Sequence, residues 1–461
     1  MRVTLLGHAS VLVEAQGRSF LVDPVFSDPF GEGAVASCPA RTVDVERLPK
    51  IDVLVLTSAE PDHFDVATVA KLSRACVVVC PKHPSILYVL EKLGFMTVRA
   101  TDPGTLLKFG KVDLLTTPSA RPELELGVLV KDRTGTFWHA GDTALSPTVI
   151  EHARALVGRV HLLFAAYAVQ GFGYYGSQRA GYPVSALRAA IATVRAVAPV
   201  MVVPGSAGFR FVEPFAWLNA FVFPISRERF LGDLARVAPE IARAPGNPGD
   251  VFEIGDGAVR AKPGESTCAT MVRDDTSLIA FDPTSYVPPL NDPNCEQYPD
   301  DVLDETVDEA IDALVQFVLV SYAASSDSLV EQYRESRSIY GLGVVFPGGR
   351  ERWLRIRFEP EAPTIERGDG PIRGALFTHR IAASGIVARA RNEKTYHFTL
   401  GLSRLSLVTP ASLKGNDVVI EPRERSDLLL YSLTHRPPGP AAHQTANLDH
   451  QLAPFVETSK A

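Results

Sequence analysis

The segment Ser58-Ala-Glu60-Pro-Asp62-His63-Phe-Asp65 gathers three carboxylates, one imidazole and a hydroxyl within eight residues. It follows an apolar run, 51–56, that reads as a buried strand. Imidazole nitrogen and carboxylate oxygen suit zinc or iron. Without a metal, Glu60 or His63 could take a proton as general base, with Arg121 stabilising an anion. A structural use competes with both: an Asp at a strand end caps the next helix, and a His packs beneath it.

A second stretch, Val169-Gln-Gly-Phe-Gly-Tyr174-Tyr175-Gly-Ser-Gln178-Arg179-Ala-Gly-Tyr182, also carries chemistry. Tyr174, Tyr175, Gln178 and Arg179 offer stacking and hydrogen bonding, and Arg179 suits a carboxylate or phosphate. The competing reading is a Gly-rich connector with aromatic packing.

These groups need a scaffold. Residues 1–24 alternate as strands broken by a Gln16-Gly17 turn, which predicts a hairpin. Strands are expected at 51–57, 76–80, 96–99, 111–117, 160–167 and 200–203, with a hairpin over 126–139. Helices are expected at 65–74, 83–93, 145–157 and 184–198. Strand–helix alternation framed by hairpins predicts two sheets sandwiched between helices. The texture changes near 244–266, where turn residues dominate. A helix with acidic first turns is expected at 303–324, followed by strand-like alternation through 340–433. The expected organisation is an α/β first domain over 1–262, a linker over 263–301 and a smaller α+β C-terminal domain over 302–461.

Composition narrows the class. Among 461 residues, Lys plus Arg total 46 against 53 Asp plus Glu, for a net charge of −7. That balance lacks the basic excess of a nucleic-acid binder; it favours solubility and says little about substrate, which is expected to be a small molecule. Five scattered cysteines argue against a disulfide framework and for a reducing compartment. The first residues show no signal peptide, and no run reaches the length needed to cross a bilayer, so the expected location is the cytoplasm, away from membranes. Association into a homo-oligomer, or with a partner protein, is left open by the sequence.

The order of several motifs resembles the metallo-β-lactamase fold: Gly7-His8-Ala9 with a hairpin, Asp23-Pro24, Asp62-His63 after a strand, and Gly141-Asp142-Thr143. Further segments are similar to CMP-N-acetylneuraminate hydroxylase. They are Ala180-Gly-Tyr-Pro183, Val202-Val-Pro-Gly-Ser-Ala207-Gly208-Phe209, Pro245-Gly-Asn-Pro-Gly-Asp-Val-Phe-Glu and the stretch 427–455. The resemblance implies an αββα metallo-β-lactamase-like sandwich. It also implies a His-x-His-x-Asp-His motif, of which Asp62 and His63 remain while Ser58 and Glu60 replace the first two imidazoles. Arg121 stands where a third imidazole is expected; it cannot ligate a metal, and it is expected to face Glu60, Asp62 or Asp142 as a substitute cation.

The surviving set, Asp62, His63 and Asp142, implies one iron or zinc ion, with Glu60 as a fourth ligand and His139 as a further candidate. His8 is expected to support the hairpin or the ligands, and Asp23 to orient loops by hydrogen bonding. The hydroxylase carries a Rieske cluster with Cys-x-His and Cys-x-x-His pairs; only Cys80-Pro-Lys-His83 occurs here, so no such cluster is expected. Three functions follow as expectations. The first is a degenerate, mononuclear metal enzyme that hydrolyses or oxidises a small anionic metabolite. The second is a non-catalytic binding or partner subunit. The third is a metal-free acid/base enzyme using Glu60, His63 and Arg121.

Overall fold

A computed structural model describes residues 1–167, 182–205, 208–325, 327–372, 374–375, 377–395, 401–407, 411–414, 417–420 and 427–456. The chain divides into two units. Unit one gathers the described residues of Met1–Gly171, Gly181–Ser285 and Gln451–Ala461; unit two gathers those of Tyr286–His450.

Unit one begins with β1 (Arg2–Gly7), β2 (Ser10–Ala15), β3 (Arg18–Val22), β4 (Val35–Ser37), β5 (Ala40–Val43) and β6 (Val53–Val55). Next come α1 (Val66–Val69), β7 (Val77–Pro81), α2 (Pro84–Lys92), β8 (Thr97–Thr101), β9 (Leu106–Phe109) and β10 (Val112–Pro118). Then follow β11 (Leu126–Asp132), β12 (Gly135–His139), α3 (Pro147–Val157), β13 (Leu162–Ala166), α4 (Val184–Val197) and β14 (Met201–Gly205). It closes with β15 (Phe209–Phe211), α5 (Asn219–Val222), α6 (Arg227–Val237), β16 (Ala242–Arg243), β17 (Val251–Gly255), β18 (Ala258–Lys262) and β19 (Ala269–Arg273).

One sheet runs β18-β17-β1-β2-β3-β6-β7-β8 and the other β16-β14-β13-β12-β11-β10-β9. Their inner faces share one core, in which Val3, Val11, Phe20 and Val55 of the first sheet meet Leu114, Val130, Phe137 and Phe164 of the second. Strand alternation sends the neighbours of those residues the other way. Trp138 and Leu163 pack outward against helix residues Ile150, Leu187, Val194 and Phe230. Two sheets face to face, with helices on the outside, form the α/β sandwich of the metallo-β-lactamase fold.

Two sequence expectations meet differences here. The helix expected over 65–74 is a single turn, α1. Asp65 caps its start by accepting from the Thr68 amide, while the Arg74 guanidinium takes up the Val69, Ala70 and Leu72 carbonyls. Carbonyls occupied from outside cannot propagate a helix. The segment 263–301, read as a linker, contains β19, which pairs with β5 from Ala269↔Val43 to Arg273↔Ala40.

Unit two contains α7 (Asp300–Ala324), α8 (Ser328–Glu335), β20 (Ile339–Val345), β21 (Glu351–Arg357), β22 (Thr364–Gly368), β23 (Phe377–Ala382) and α9 (Ala383–Ala390). Strands β24 (Ser403–Leu407), β25 (Ala411–Lys414) and β26 (Asp417–Ile420) precede α10 (Leu428–His435) and the part of α11 (Pro440–Val456) up to His450. The main sheet runs β22-β21-β20-β23-β24. Helix α7 buries Leu303, Val307, Ile311, Leu314 and Val318, a stripe at helical spacing. Among the described residues no single helix is long and apolar enough to cross a membrane.

Within unit two, Ser403 Oγ lies 3.1 Å from His379 Nε2, and Asp427 Oδ2 lies 2.6 Å from His379 Nδ1. The second contact is short but too bent to be a hydrogen bond. The order is hydroxyl, imidazole, carboxylate, as in a nucleophilic triad. Yet His379 is 0% and Ser403 4% exposed, and Asp427 is already the N-cap of α10 through the Leu430 amide. The three therefore act as a strut tying β23 to β24 and to α10. His379→Ala should destabilise unit two by about 1–3 kcal/mol, the cost of stranding buried polar partners. Denaturant unfolding followed at unit-two tryptophan Trp353 measures this, and a fluorophosphonate probe should leave Ser403 unlabelled.

Candidate metal centre

The site forms where strand ends of both sheets meet. β1 ends at Gly7, and His8 turns the chain into β2 with φ +49°. Asp23 leaves β3 with φ +43°. Non-glycine residues rarely take this left-handed region, and here both serve the site. After β6, Thr57 and Ser58 lead into a turn in which the His63 and Phe64 amides donate to the Glu60 carbonyl. Asp142 arrives from the second sheet, one residue past Gly141, whose φ of +57° makes the turn after β12.

Asp23 is fully buried and holds the centre together. Its Oδ1 accepts from the Thr57 amide at 2.7 Å, and its Oδ2 accepts from Thr57 Oγ1 at 2.5 Å and from His63 Nδ1 at 2.8 Å. A proton on Nδ1 leaves Nε2 with its lone pair. That atom is buried with no hydrogen-bond partner, 3.5 Å from Asp142 Oδ2 and 3.9 Å from Asp62 Oδ2. Asp62 is held in turn by His8. The His8 Nδ1 accepts from the Gly208 amide at 3.0 Å, so its Nε2 carries the proton donated to Asp62 Oδ2, also at 3.0 Å.

Two clusters of ligating atoms result, Glu60–His63–Asp142 and His8–Asp62–His63, each with its atoms within 4.8 Å of one another. Glu60 is exposed as a residue, yet its carboxylate reaches the first cluster. The donor set fits a metal ion: an orphaned buried imidazole nitrogen faces carboxylates, and its far side is fixed by a second carboxylate in the way that orients metal-bound histidines.

Electrostatics agree with the geometry. Burial, helped by Asp62, Asp142 and Glu125, pushes the Glu60 carboxyl up to about 7 against the opposing pull of His63. Burial alone would depress His63, but Asp62, Asp142 and Asp23 outweigh it and raise the imidazole well above its usual value. Without a cation, Glu60 thus holds its proton more tightly and the surrounding carboxylates draw a charge onto His63. Both shifts have the same sign for stability. Native Glu60 keeps a proton that the unfolded chain sheds above about pH 4.5. The His63 contribution is complete below about pH 6.5 and is lost as pH rises through its native value. Chelator-treated protein should therefore lose thermal stability as pH rises from about 5 past 7, and Glu60→Gln should flatten the lower part of that slope. Melting temperature against pH, for wild type and variant, checks this.

The sequence-expected residues separate on this geometry. Glu60, Asp62, His63 and Asp142 come together, with Asp23 and His8 behind them. His139 does not join them: it points into the core between the sheets, its Nε2 donates to the Ala9 carbonyl at 2.8 Å, and burial keeps the ring neutral. Arg121 corrects an expectation. It is exposed and, among the described residues, forms no ion pair with Glu60, Asp62 or Asp142. The base of its loop is pinned by the Ser119 hydroxyl, which accepts from the Arg121 and Ala144 amides and donates to Glu125. The charge of Arg121 falls on Glu125, lowering a carboxyl that burial raises.

Thr57 and Glu125 escaped the sequence reading. Thr57 had a signal, as a polar residue ending an apolar strand one position before Ser58. Tyr174, Tyr175, Gln178 and Arg179 lie outside the described residues. Cys80 is sealed in β7 and His83 caps α2 by accepting from the Ser85 amide, so this Cys-x-x-His pair serves the fold.

Fold and site together define a metallo-β-lactamase-type scaffold. The sequence model of the Beta-lactamase superfamily domain matches residues 18–204. The UPF0173 protein of Pyrococcus furiosus is 30% identical over 166 residues, 35% of this chain and 68% of that protein. The UPF0173 metal-dependent hydrolase of Caldivirga maquilingensis is 26% identical over 201 residues, 42% of this chain and 79% of that one. The 4-amino-L-phenylalanyl-[CmlP-peptidyl-carrier-protein] 3-hydroxylase of Streptomyces venezuelae is 26% identical over 174 residues, 34% of this chain and 32% of its own length. The chain belongs to the metallo-β-lactamase superfamily, and its first unit carries the similarity to the UPF0173 proteins.

Proposed function

We propose that the protein is a metal-dependent hydrolase of a small anionic metabolite, with one zinc or iron ion held by Glu60, His63 and Asp142 and with Asp62 alongside. The observation that carries this is the buried, partnerless Nε2 of His63, turned toward acids by Asp23. A bound ion supplies Lewis acidity and a water that loses its proton near neutral pH. The chain supplies the rest: Asp23 fixes the tautomer and His8 holds Asp62 in place.

Oxidation is the second reading. The carboxylate-rich donor set suits iron as well as zinc, and the Streptomyces hydroxylase matches a similar length of the chain. The branch similar to CMP-N-acetylneuraminate hydroxylase belongs with this reading and rests on motif order. A cytoplasmic location agrees with five free cysteines.

Elemental analysis of protein purified without chelator tests the proposal. About one zinc or iron per chain is expected, with hydrolysis of anionic esters or amides lost on chelation and restored by the ion. Oxygen consumption without hydrolysis would shift the assignment to the oxidative reading. Metal-free protein with unchanged activity would leave the acid/base enzyme, and metal-free inert protein the binding subunit.

A further inference from the structure

A groove of about 270 Å³ opens beside Asp142. One wall is α4, which presents Ala186, Ala189, Ala190 and Thr193. Their spacing of three, one and three residues places them on one helix face. The opposite wall is the outer face of the second sheet, with Leu163 and Ala165, and the loop after β12, with Leu145. On the helix side the lining is three alanines and a threonine. Among the described residues the lining is mostly apolar and includes two charged side chains, Asp142 and Arg121. Arg121 forms no salt bridge among the described residues, although guanidinium groups on this surface commonly find a carboxylate.

We infer that this groove takes the apolar body of the substrate, an acyl or aryl group whose anionic head pairs with Arg121 while its reacting bond lies at Asp142. The inference rests on the reading of Glu60, His63 and Asp142 as the reacting centre, and it narrows the substrate from any small anion to an amphiphilic one. Liquid water occupies about 30 Å³ per molecule, so the groove admits on the order of eight carbon-sized groups. Apolar walls reward each added methylene, while an exposed guanidinium rewards a carboxylate or phosphate over a neutral head.

Calorimetric titration of the full chain with butanoate, hexanoate, octanoate, octyl phosphate and octan-1-ol tests this. Affinity should rise about fourfold per methylene up to octanoate, and octan-1-ol should bind at least about tenfold more weakly than octanoate, the anion of the same chain length. Arg121→Gln should equalise octanoate and octan-1-ol. Ala190→Phe should abolish the chain-length dependence without lowering metal content; Ala186→Leu provides a milder filling should the larger ring unfold the protein. The ratio of octyl phosphate to octanoate affinity identifies the preferred head. His63→Ala separates the two readings. If it loses metal but still binds octanoate, both stand. If octanoate affinity follows metal content and ignores Arg121, the head sits on the ion and the groove assignment fails. Affinity independent of chain length would overturn it outright.

Discussion

His63→Ala should lower metal content from about one ion per chain to below about a tenth, and kcat/KM by roughly a thousandfold. The size follows from the geometry. His63 provides the imidazole nitrogen that faces Asp62 and Asp142, whereas the Nε2 of His8 is spent on Asp62 and His139 belongs to neither cluster of ligating atoms. A loss of about a thousandfold corresponds to about 4 kcal/mol of transition-state stabilisation, within the range expected when a Lewis acid is removed. The fold should survive, because Asp23 retains two hydrogen bonds from Thr57. Cooperative melting with metal content near zero is the pairing to measure. Full metal content in this variant would show that the ion binds elsewhere.

Asp23→Asn should weaken metal binding by about 10- to 100-fold, although residue 23 touches no metal. Asp23 serves three donors with two oxygens, Oδ1 accepting from the Thr57 amide and Oδ2 from Thr57 Oγ1 and His63 Nδ1, whereas an asparagine has one acceptor oxygen and must turn its NH₂ to one side. If the asparagine oxygen stays with Thr57, its NH₂ faces Nδ1 and drives the imidazole proton to Nε2. The nitrogen that faced the acids then becomes a donor and cannot ligate. Nitrogen-15 shifts of His63 report that tautomer directly, and metal affinity should fall in step with it. An unchanged tautomer with unchanged affinity would remove Asp23 from the role given to it here.

Much of this arrangement was legible from sequence because its parts sit at strand ends, where apolar runs stop and polar residues begin. Asp62-His63 after 51–56, Asp23-Pro24 after β3 and Gly141-Asp142 after β12 all announce themselves in this way. Sequence spacing could not tell which way Arg121 points, because its direction is decided by Ser119, Glu125 and Ala144, brought together only in the fold. Nor did it show that β17 pairs with β1 across about 250 residues, Arg2 against Glu253, since turn residues around 244–250 mask the strand that follows them. The one-turn α1 was overcalled for a similar reason. Its periodicity continues past Val69, but the Arg74 side chain ends it by taking the carbonyls a longer helix would use.

The clustered carboxylates attract a positive charge, and the structure offers one among them. His63, surrounded by Asp23, Asp62 and Asp142, holds a proton when nothing else does. A metal ion would compete for the same position, so proton and metal occupancy should exclude one another.

The most direct measurement is an anomalous-scattering map of crystals grown from protein that has never met a chelator, recorded on both sides of the zinc and iron edges. A single peak about 2.0–2.2 Å from His63 Nε2, with oxygens of Glu60 and Asp142 around it, is the expected result. A map with no peak there, or with a peak bound through His139 or unit two, would contradict the metal centre.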